Sequence, residues 1–277
     1  LRASAQLSGR RARAPPLALA RRAVSWMHRA HPFAALHVPC PADETIAVLE
    51  CFRSAANSAL HALVVDHVVR GRVVFPAAAY LEMARAALRA ASPVERCSGI
   101  VRLHGVLFVR PLALDARGQH LEIAVRADGG FEVRSGKACA SSLLDATTHC
   151  IGKAATADDT SPVDVGQLLS CTARSMHCAR PLDACALYAG FDALGLQYGP
   201  AYRMLARVWP AVPSIATAVV PAVAAGRLHA RRARQRTSVH PADLDGALQL
   251  SAALARAPGG ADDEMRLPFA VDEAVLR

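Results

Sequence analysis

A histidine, a glycine and a proline lie at fixed spacing in the first third of the chain. His67 is followed by Gly71 and Pro76, and the chain then enters a run rich in Ala, Leu and Met. A histidine can act as a general base near neutral pH. Glycine lets the backbone approach a ligand closely, and free N–H groups at a helix start can bind a carbonyl oxygen. These residues predict a site that removes a proton next to a carbonyl group, although a structural histidine would also fit.

An aspartate and a glutamine lie four residues apart at the start of a helix that we predict from Pro241 to about residue 257. Asp245 and Gln249 therefore share one helical face and can reach a common ligand. Asp243 lies on another face and is expected to be a first-turn carboxylate, favoured there by the helix dipole. Taken alone, Asp245 could have that same structural role.

A third motif, Tyr198-Gly199-Pro200, combines two turn-forming residues with a phenolic hydroxyl. By itself it predicts only a turn. The chain has no GxGxxG, Walker, HExxH or GxSxG motif, which argues against nucleotide cofactors, zinc hydrolysis and serine esterase chemistry. Its eight cysteines include no CxxC pair and no zinc-finger spacing. We therefore expect no metal site, and reduced thiols.

Composition indicates a folded protein with a large core. Hydrophobic residues make up 53% of the 277 and charged residues 20%. The net charge is +9, but aromatic residues are only 5% and no basic stripe is interleaved with them. An acidic protein partner fits this charge as well as nucleic acid does. The apolar runs are interrupted by charges well before ~20 residues, so no membrane span is expected.

The pattern of short extended segments around one helix occurs twice. The first helix is predicted from Ala77 to Leu88 and should be mostly buried, because it is apolar on nearly all sides. The second half has a short helix at 183–194 and the longer helix that begins at Pro241. The predicted strands are Arg72–Phe75, Ile100–Arg110, Leu121–Arg126, Phe131–Ser135, His149–Lys153, Tyr202–Trp209 and Ile215–Val220.

Composition also predicts the domain boundaries. Residues 1–28 are rich in Arg and lack acidic residues. They could form a transit peptide, but the absence of Met and the pair Pro15-Pro16 favour a linker from a preceding domain. We expect a first domain at 29–155, a linker at 156–180 rich in Asp, Thr, Ser and Pro, and a second domain at 181–277.

Together, the three motifs resemble those of the dehydratase domains of type I polyketide synthases. The resemblance extends from about residue 31 to residue 277, and three motifs in the correct order are much more specific than any one. HxxxGxxxxP is matched at His67, Gly71 and Pro76, YGP at Tyr198, Gly199 and Pro200, and DxxxQ/H at Asp245 and Gln249. Further similar segments are His31-Pro32, Leu103–Leu112 and Leu267-Pro268-Phe269.

The resemblance implies an α+β double hotdog, in which two antiparallel sheets each wrap around a central helix and one active site lies at their junction. The chain departs from the family at Ala77, where Gly is usual, at Leu196, where an aromatic is usual, and at Tyr202, where Phe is usual. It also stops at Arg277, before strands that the family has. We therefore expect the C-terminal sheet to be truncated.

The implied activity is dehydration of a β-hydroxyacyl thioester to the α,β-enoyl thioester within a polyketide or polyunsaturated fatty acid synthase. His67 would remove the α-proton, and Asp245, its pKa raised by an apolar tunnel, would protonate the leaving hydroxyl. An N–H near Gly71 or at the helix start would stabilise the enolate oxygen. The implied substrate-binding residues are Gly71, Pro76, Tyr198, Gly199, Pro200 and Gln249.

The resemblance further implies that the domain needs no cofactor of its own, because the substrate is carried on the phosphopantetheine of an acyl carrier protein. Expected partners are that carrier protein, other domains of the same synthase and a second copy in a homodimer, in the cytoplasm. Two alternatives remain open at this point: a product-template cyclase domain of the same fold, and a non-catalytic double-hotdog scaffold.

Overall fold

The computed structural model describes residues 31–38, 48–91, 100–139, 143–157, 182–209, 212–213, 219–220, 223–226, 237–254 and 267–276. All of them belong to one unit, residues 31–277. The predicted linker at 1–28 and nearly all of the one at 156–180 lie outside these ranges. Strand β8 continues to Ala157, two residues into the second predicted linker.

The described elements are four helices and fifteen strands. The helices are α1 (Ala59–Val64), α2 (Ala77–Ala91), α3 (Ala184–Ala193) and α4 (Pro241–Leu254). The strands of the first half are β1 (Leu36–Val38), β2 (Val48–Ala55), β3 (His67–Val69), β4 (Arg72–Val73), β5 (Ile100–Phe108), β6 (Gln119–Arg126), β7 (Gly130–Ala138) and β8 (Leu143–Ala157). Those of the second half are β9 (Leu182–Asp183), β10 (Leu196–Tyr198), β11 (Leu205–Trp209), β12 (Val212–Pro213), β13 (Val219–Val220), β14 (Val223–Gly226) and β15 (Ala270–Leu276).

Helix α2 is the centre of the first half. Pro76, which has no N–H to leave unpaired, directly precedes the helix. Apart from Tyr80, the helix consists of strong helix formers. Every residue from Ala78 to Ala87 is buried. An antiparallel sheet in the order β1-β2-β6-β7-β8-β5-β15 packs against the helix. The predicted buried helix and the antiparallel sheet around it are confirmed.

The second half repeats this plan with fewer described strands. Helix α4 packs against α2 and β11, and β11 lies between β14 and β9 in a three-stranded sheet. A further small sheet, β10-β3-β4, pairs a strand of the second half with the hairpin of the first. Of the strand predicted at Ile215–Val220, only the last two residues are described, as β13.

Strand β15 pairs with a strand of the other predicted domain. Residues 181–277 were expected to form one domain, yet β15 pairs antiparallel with β5, with Leu276 opposite Val101 and Ala270 opposite Leu107. The buried side chain of Leu276 joins the core around α2. Strand pairing is decided by free edges in space rather than by order in the chain. The sheet of the first half is therefore extended by a strand from the second.

A buried ion cluster ties α2 to two distant segments. Glu82 has no exposed surface, and both its oxygens accept from Arg85, at 2.6 and 2.8 Å. Oε1 of Glu82 also lies 3.1 Å from Nε2 of His31 and accepts from the backbone N–H of Ser238 at 2.9 Å. The cluster thus fixes residue 31 and the segment that leads into α4 against the central helix.

No helix within the described ranges is both long and apolar enough to cross a membrane.

Candidate active site

The hairpin β3–β4 positions His67. Val68 pairs with Val73 and Val69 with Arg72, and the two turn residues, Arg70 and Gly71, have φ of 49° and 76°. Two positive φ angles are typical of a type I′ hairpin turn, whose twist matches that of the strands. The glycine of the first motif is therefore needed for the turn that folds His67 towards the opposite strand.

The same hairpin fixes which nitrogen of His67 is free. Nδ1 lies 2.7 Å from the carbonyl oxygen of Val74. Because a carbonyl oxygen can only accept, Nδ1 carries the proton and donates it to Val74. In the neutral ring the lone pair is then on Nε2, which lies 4.0 Å from Oδ1 of Asp245. The fold thus presents the tautomer that a general base requires.

Strand β10 joins the third motif to His67. Tyr198 pairs with His67 across β10 and β3, and their rings lie 5.6 Å apart in an edge arrangement. Asp66 holds the following turn, because its carbonyl accepts from the N–H of Gly199 at 2.7 Å and its carboxylate accepts from the N–H of Ala201 at 2.7 Å. A Cβ on Gly199 would lie 2.5 Å from Cγ of Asp66. Glycine is therefore required here for close approach.

Helix α4 brings Asp245 to the histidine. Oδ1 of Asp245 lies 4.0 Å from Nε2 of His67, and both side chains are almost fully buried. Gln249, one turn later, donates from Nε2 to Oδ2 of Asp245 at 2.8 Å and to the carbonyl of Tyr202 at 2.9 Å. Asp245 and Gln249 therefore share a face, as their spacing predicts. Oδ1 is the carboxylate oxygen left facing the histidine.

Burial sets the protonation of Asp245. Loss of water raises the pKa of this carboxyl above its usual range, and this effect outweighs the opposing influence of the His67 charge and the Gln249 hydrogen bond. Charge on Asp245 also contributes to the raised pKa of Tyr198, after burial. A raised pKa favours the protonated form of this carboxyl, which is the form that can donate a proton.

A cavity of about 480 Å³ opens in front of the pair. His67, Tyr198 and Asp245 contribute polar groups to its wall, and apolar side chains form much of the remainder. This size and lining suit an acyl chain with a few oriented polar atoms. The other wall residues are Val74, Phe75, Ala77, Tyr80, Phe108, Arg110, Pro111, Leu196, Leu248, Ser251, Ala252, Leu267, Pro268, Phe269 and Ala270.

Five predicted substrate-binding residues are not among the residues that line the cavity. Gly71 is exposed in the hairpin turn, and its N–H donates to Oε1 of Gln197 at 2.8 Å. Because that N–H is bonded to Gln197, the helix start is left as the other expected donor to an enolate oxygen. The other four are in supporting positions: Pro76 before α2, Gly199 and Pro200 in the turn after β10, and Gln249 beside Asp245.

The helix start remains as the source of an N–H donor. Ala77, the first residue of α2, lines the cavity. N–H groups in the first turn of a helix have no acceptor within the helix. Ala77 is also the position where the family usually has glycine. Its methyl group therefore lies on the cavity wall.

Two residues of the site were missed in the sequence. Asp66 anchors the turn after Tyr198, and Tyr188 of α3 donates to Oε1 of Gln249 at 2.8 Å. Tyr188 is 61 residues away from Gln249 in the chain, so no spacing pattern links them. For Asp66, the one available signal in the sequence was its position next to His67, which places a short polar side chain beside the candidate base.

No group of three or more His, Cys, Asp or Glu side chains in the described part of the chain could hold a metal ion.

A double hotdog whose two halves contribute a histidine and an aspartate to one cavity is a fold and site for hydro-lyase chemistry. The sequence model described as polyketide synthase dehydratase domain matches residues 31–136, and that described as polyketide synthase dehydratase N-terminal domain matches residues 169–277. The chain belongs to the dehydratase domains of type I polyketide synthases. Dehydration of β-hydroxyacyl intermediates is the reaction of this family, which favours it over the product-template alternative.

Known relatives agree with this assignment. The polyketide synthase ThaG of Burkholderia thailandensis is 37% identical over 188 residues, which are 66% of this chain and 3% of that synthase. The dehydratase domain from the CurK module of curacin polyketide synthase has a TM-score of 0.63 at 24% identity, covering 88% of this chain and 80% of that one. A dehydratase domain of a trans-AT polyketide synthase from Brevibacillus brevis has a TM-score of 0.64 at 21% identity, with coverages of 88% and 80%. The double-hotdog prediction is confirmed.

Proposed function

We propose that the domain removes water from a β-hydroxyacyl thioester carried on the phosphopantetheine arm of an acyl carrier protein, with His67 as base and Asp245 as acid. The observation that carries this proposal is the 4.0 Å separation of Nε2 of His67 from Oδ1 of Asp245 at one cavity. Two observations support these roles: the carbonyl of Val74 accepts from Nδ1 of His67, which leaves Nε2 for the substrate, and burial raises the pKa of the Asp245 carboxyl.

The reaction uses both groups once in each turnover. Nε2 of His67 takes the α-proton, and the electron pair of that C–H bond becomes the new C=C bond. The C–O bond to the β-hydroxyl breaks as Oδ1 of Asp245 delivers its proton, so the hydroxyl leaves as water. His67 is then charged and Asp245 is ionised. Proton transfer from one to the other, across their short separation, restores the starting state.

Developing charge on the thioester oxygen needs a donor. The N–H of Ala77 at the start of α2 is the candidate that the geometry supports, since Ala77 lies on the cavity wall and the helix dipole favours negative charge there. Gly71 would then act indirectly, by shaping the hairpin that holds His67.

Related proteins support the assignment of residue types. A histidine-to-phenylalanine variant and an aspartate-to-asparagine variant of the CurK dehydratase are both described as inactive. A histidine and an aspartate are also the pair proposed here. The non-catalytic scaffold is disfavoured, because both of these groups, and the glutamine that holds the aspartate, are intact and in contact range.

The carrier protein and neighbouring domains are proposed from the same context. The relatives are large synthases of which this chain spans a small part, and a net charge of +9 would attract an acidic carrier. We also propose a cytoplasmic location. In support, Cys139, Cys150 and Cys185 are thiols that form no disulfide within the described part of the chain, as in proteins of reducing compartments.

The test is an assay of the chain with a β-hydroxyacyl acyl carrier protein, with the enoyl product followed by mass spectrometry. We expect enoyl formation by the wild-type chain and a loss of ~10²–10⁴-fold for His67→Phe, the usual contribution of a general base. The second arm is Asp245→Asn, which should lower enoyl formation by ~10²–10⁴-fold. Run in deuterated water, it also shows whether His67 still exchanges the α-proton. A His67→Phe chain that keeps more than about a tenth of the activity would overturn the assignment of the base.

A further inference from the structure

The amide of Gln249 has its orientation fixed by its neighbours. One terminal atom of the amide lies 2.9 Å from the carbonyl oxygen of Tyr202. A backbone carbonyl can only accept, so this atom must be the nitrogen Nε2. The same nitrogen lies 2.8 Å from Oδ2 of Asp245. Both hydrogens of the amide are therefore used, one on Tyr202 and one on the catalytic carboxyl.

The oxygen of that amide faces Tyr188. Oε1 of Gln249 lies 2.8 Å from the hydroxyl of Tyr188, which itself accepts from the N–H of Leu205 at 2.9 Å. Because the N–H of Leu205 can only donate, the single hydroxyl proton of Tyr188 is directed to Oε1. The register of β11 against β14 shifts at Leu205. Such a bulge leaves an N–H out of the strand ladder, free for the phenol.

These bonds form one directional chain: Leu205 N–H to Tyr188, Tyr188 to Gln249, and Gln249 to Oδ2 of Asp245. Hydrogen bonds that run in one direction polarise and strengthen one another. All three side-chain members are buried: Tyr188 is 6% exposed, Gln249 is 1% exposed and Asp245 is 3% exposed. In such surroundings, water cannot replace a missing partner at low cost.

We propose that Tyr188 is a positioning residue that locks the Gln249 amide and thereby confines the acid proton of Asp245 to Oδ1, the oxygen that faces His67 and the cavity. Oδ2 receives an N–H from Gln249 and so cannot direct a proton of its own towards that residue. If the amide turned over, its oxygen would face Oδ2 and accept the proton there, away from the substrate. Tyr188 opposes this by donating to Oε1. The inference rests on the proposed roles of Asp245 and His67.

The experiment is a double-mutant cycle of Tyr188→Phe and Gln249→Ala, with dehydration of 3-hydroxybutyryl-N-acetylcysteamine as the measured reaction. Tyr188→Phe keeps the ring that packs on Phe191 and Tyr198 and removes only the hydroxyl. We expect kcat to fall about tenfold, within the range for loss of one buried hydrogen bond, with KM changed by less than about twofold. In the Gln249→Ala chain, the same change should lower kcat by less than about twofold, because its target is absent.

Thr148→Val is the matched control, because it also removes a hydroxyl that donates to a side chain, Glu132, and Thr148 lies in the sheet around α2 and does not line the cavity. It should leave kcat unchanged, and melting curves of every variant should show that the chains are folded at the assay temperature. Equal losses from Tyr188→Phe in both backgrounds, or a wild-type rate in Tyr188→Phe, overturn the positioning role. An inactive wild-type chain instead overturns the proposed function.

Discussion

Two buried carboxylates, one on each central helix, have opposite chemistry. Glu82 on α2 and Asp245 on α4 are both almost without exposed surface. Burial raises the pKa of each, but for Glu82 the hydrogen bonds and charges of Arg85 and His31 outweigh burial and lower its pKa. Among the described residues, Asp245 has the Gln249 amide at 2.8 Å and the His67 imidazole at 4.0 Å, and its pKa is raised.

This difference shows that burial alone does not decide whether a carboxyl is ionised or protonated. A carboxylate surrounded by cations and N–H donors stays ionised and holds segments together, as Glu82 does for residue 31 and the segment before α4. A buried carboxyl with few donors has a raised pKa, which favours the protonated form that can donate a proton. The number of donors around the oxygens therefore separates the structural carboxylate from the carboxyl that we propose as the acid.

The largest effect on activity is expected from Asp245→Asn. The amide matches the carboxyl in size but cannot deliver a proton, so turnover should fall by ~10²–10⁴-fold while the melting temperature is maintained. Enoyl formation from a β-hydroxyacyl thioester, together with a melting curve, measures both. Near wild-type turnover would mean that another group, such as Tyr198, is the acid.

The largest effect on stability is expected from Glu82→Gln. Removing the charge leaves Arg85 buried without its partner, which should lower the free energy of unfolding by about 3–5 kcal/mol. Urea unfolding measures this. The control is Glu273→Gln, whose ion pair with Arg102 is exposed and should be worth about 0–1 kcal/mol. Equal losses of unfolding free energy in the two variants would show that the buried ion pair of Glu82 stabilises the fold no more than the exposed pair of Glu273.

The two carboxyls should also respond oppositely to pH. The pKa of Asp245 is raised, so its contribution to stability is fully present below the unfolded pKa and is lost as pH rises through the folded pKa. The pKa of Glu82 is lowered, so its contribution is present above the unfolded pKa and is lost as pH falls through the folded pKa.

Melting temperatures across pH test this contrast. Asp245→Asn should gain stability relative to the wild-type chain as pH rises above the folded pKa of Asp245, and the gain should vanish in acid. Glu82→Gln should be most destabilised at neutral pH, and its deficit should shrink in acid. If both variants followed the same pH trend, the comparison would not hold.

The smallest effect is expected from Gly199→Ala, which acts on the support of the site. The new Cβ would lie 2.5 Å from Cγ of Asp66, so the turn after β10 must shift and Tyr198 with it. We expect a loss of about 1–3 kcal/mol in the free energy of unfolding, as for other overpacked sites, and a modest loss of turnover. The matched control is Gly118→Ala, where no atom lies within 4 Å but φ is +73°, so only backbone strain acts.

Local sequence determined the helices that contain or adjoin the candidate site residues. The run after Pro76 predicts a buried helix because its residues favour helix and are apolar on nearly every side, and α2 extends from Ala77 to Ala91. The spacing of Asp245 and Gln249 places them on one face because a helix has 3.6 residues per turn, and they are hydrogen-bonded. Motif resemblance supplied the pairing of His67 with Asp245.

Only the tertiary structure decided the contacts between distant segments. The pairing of β15 with β5, the donation of Tyr188 to Gln249 and the enclosure of Glu82 by His31 and Ser238 join residues far apart in the chain. Such contacts depend on which strand edges and buried polar atoms meet once the chain is compact, and no periodicity encodes this. For the same reason, the sequence predicted a turn at Gly199, while only the fold showed the close approach of Asp66 to Gly199 and the positive φ of Gly71 in the hairpin turn.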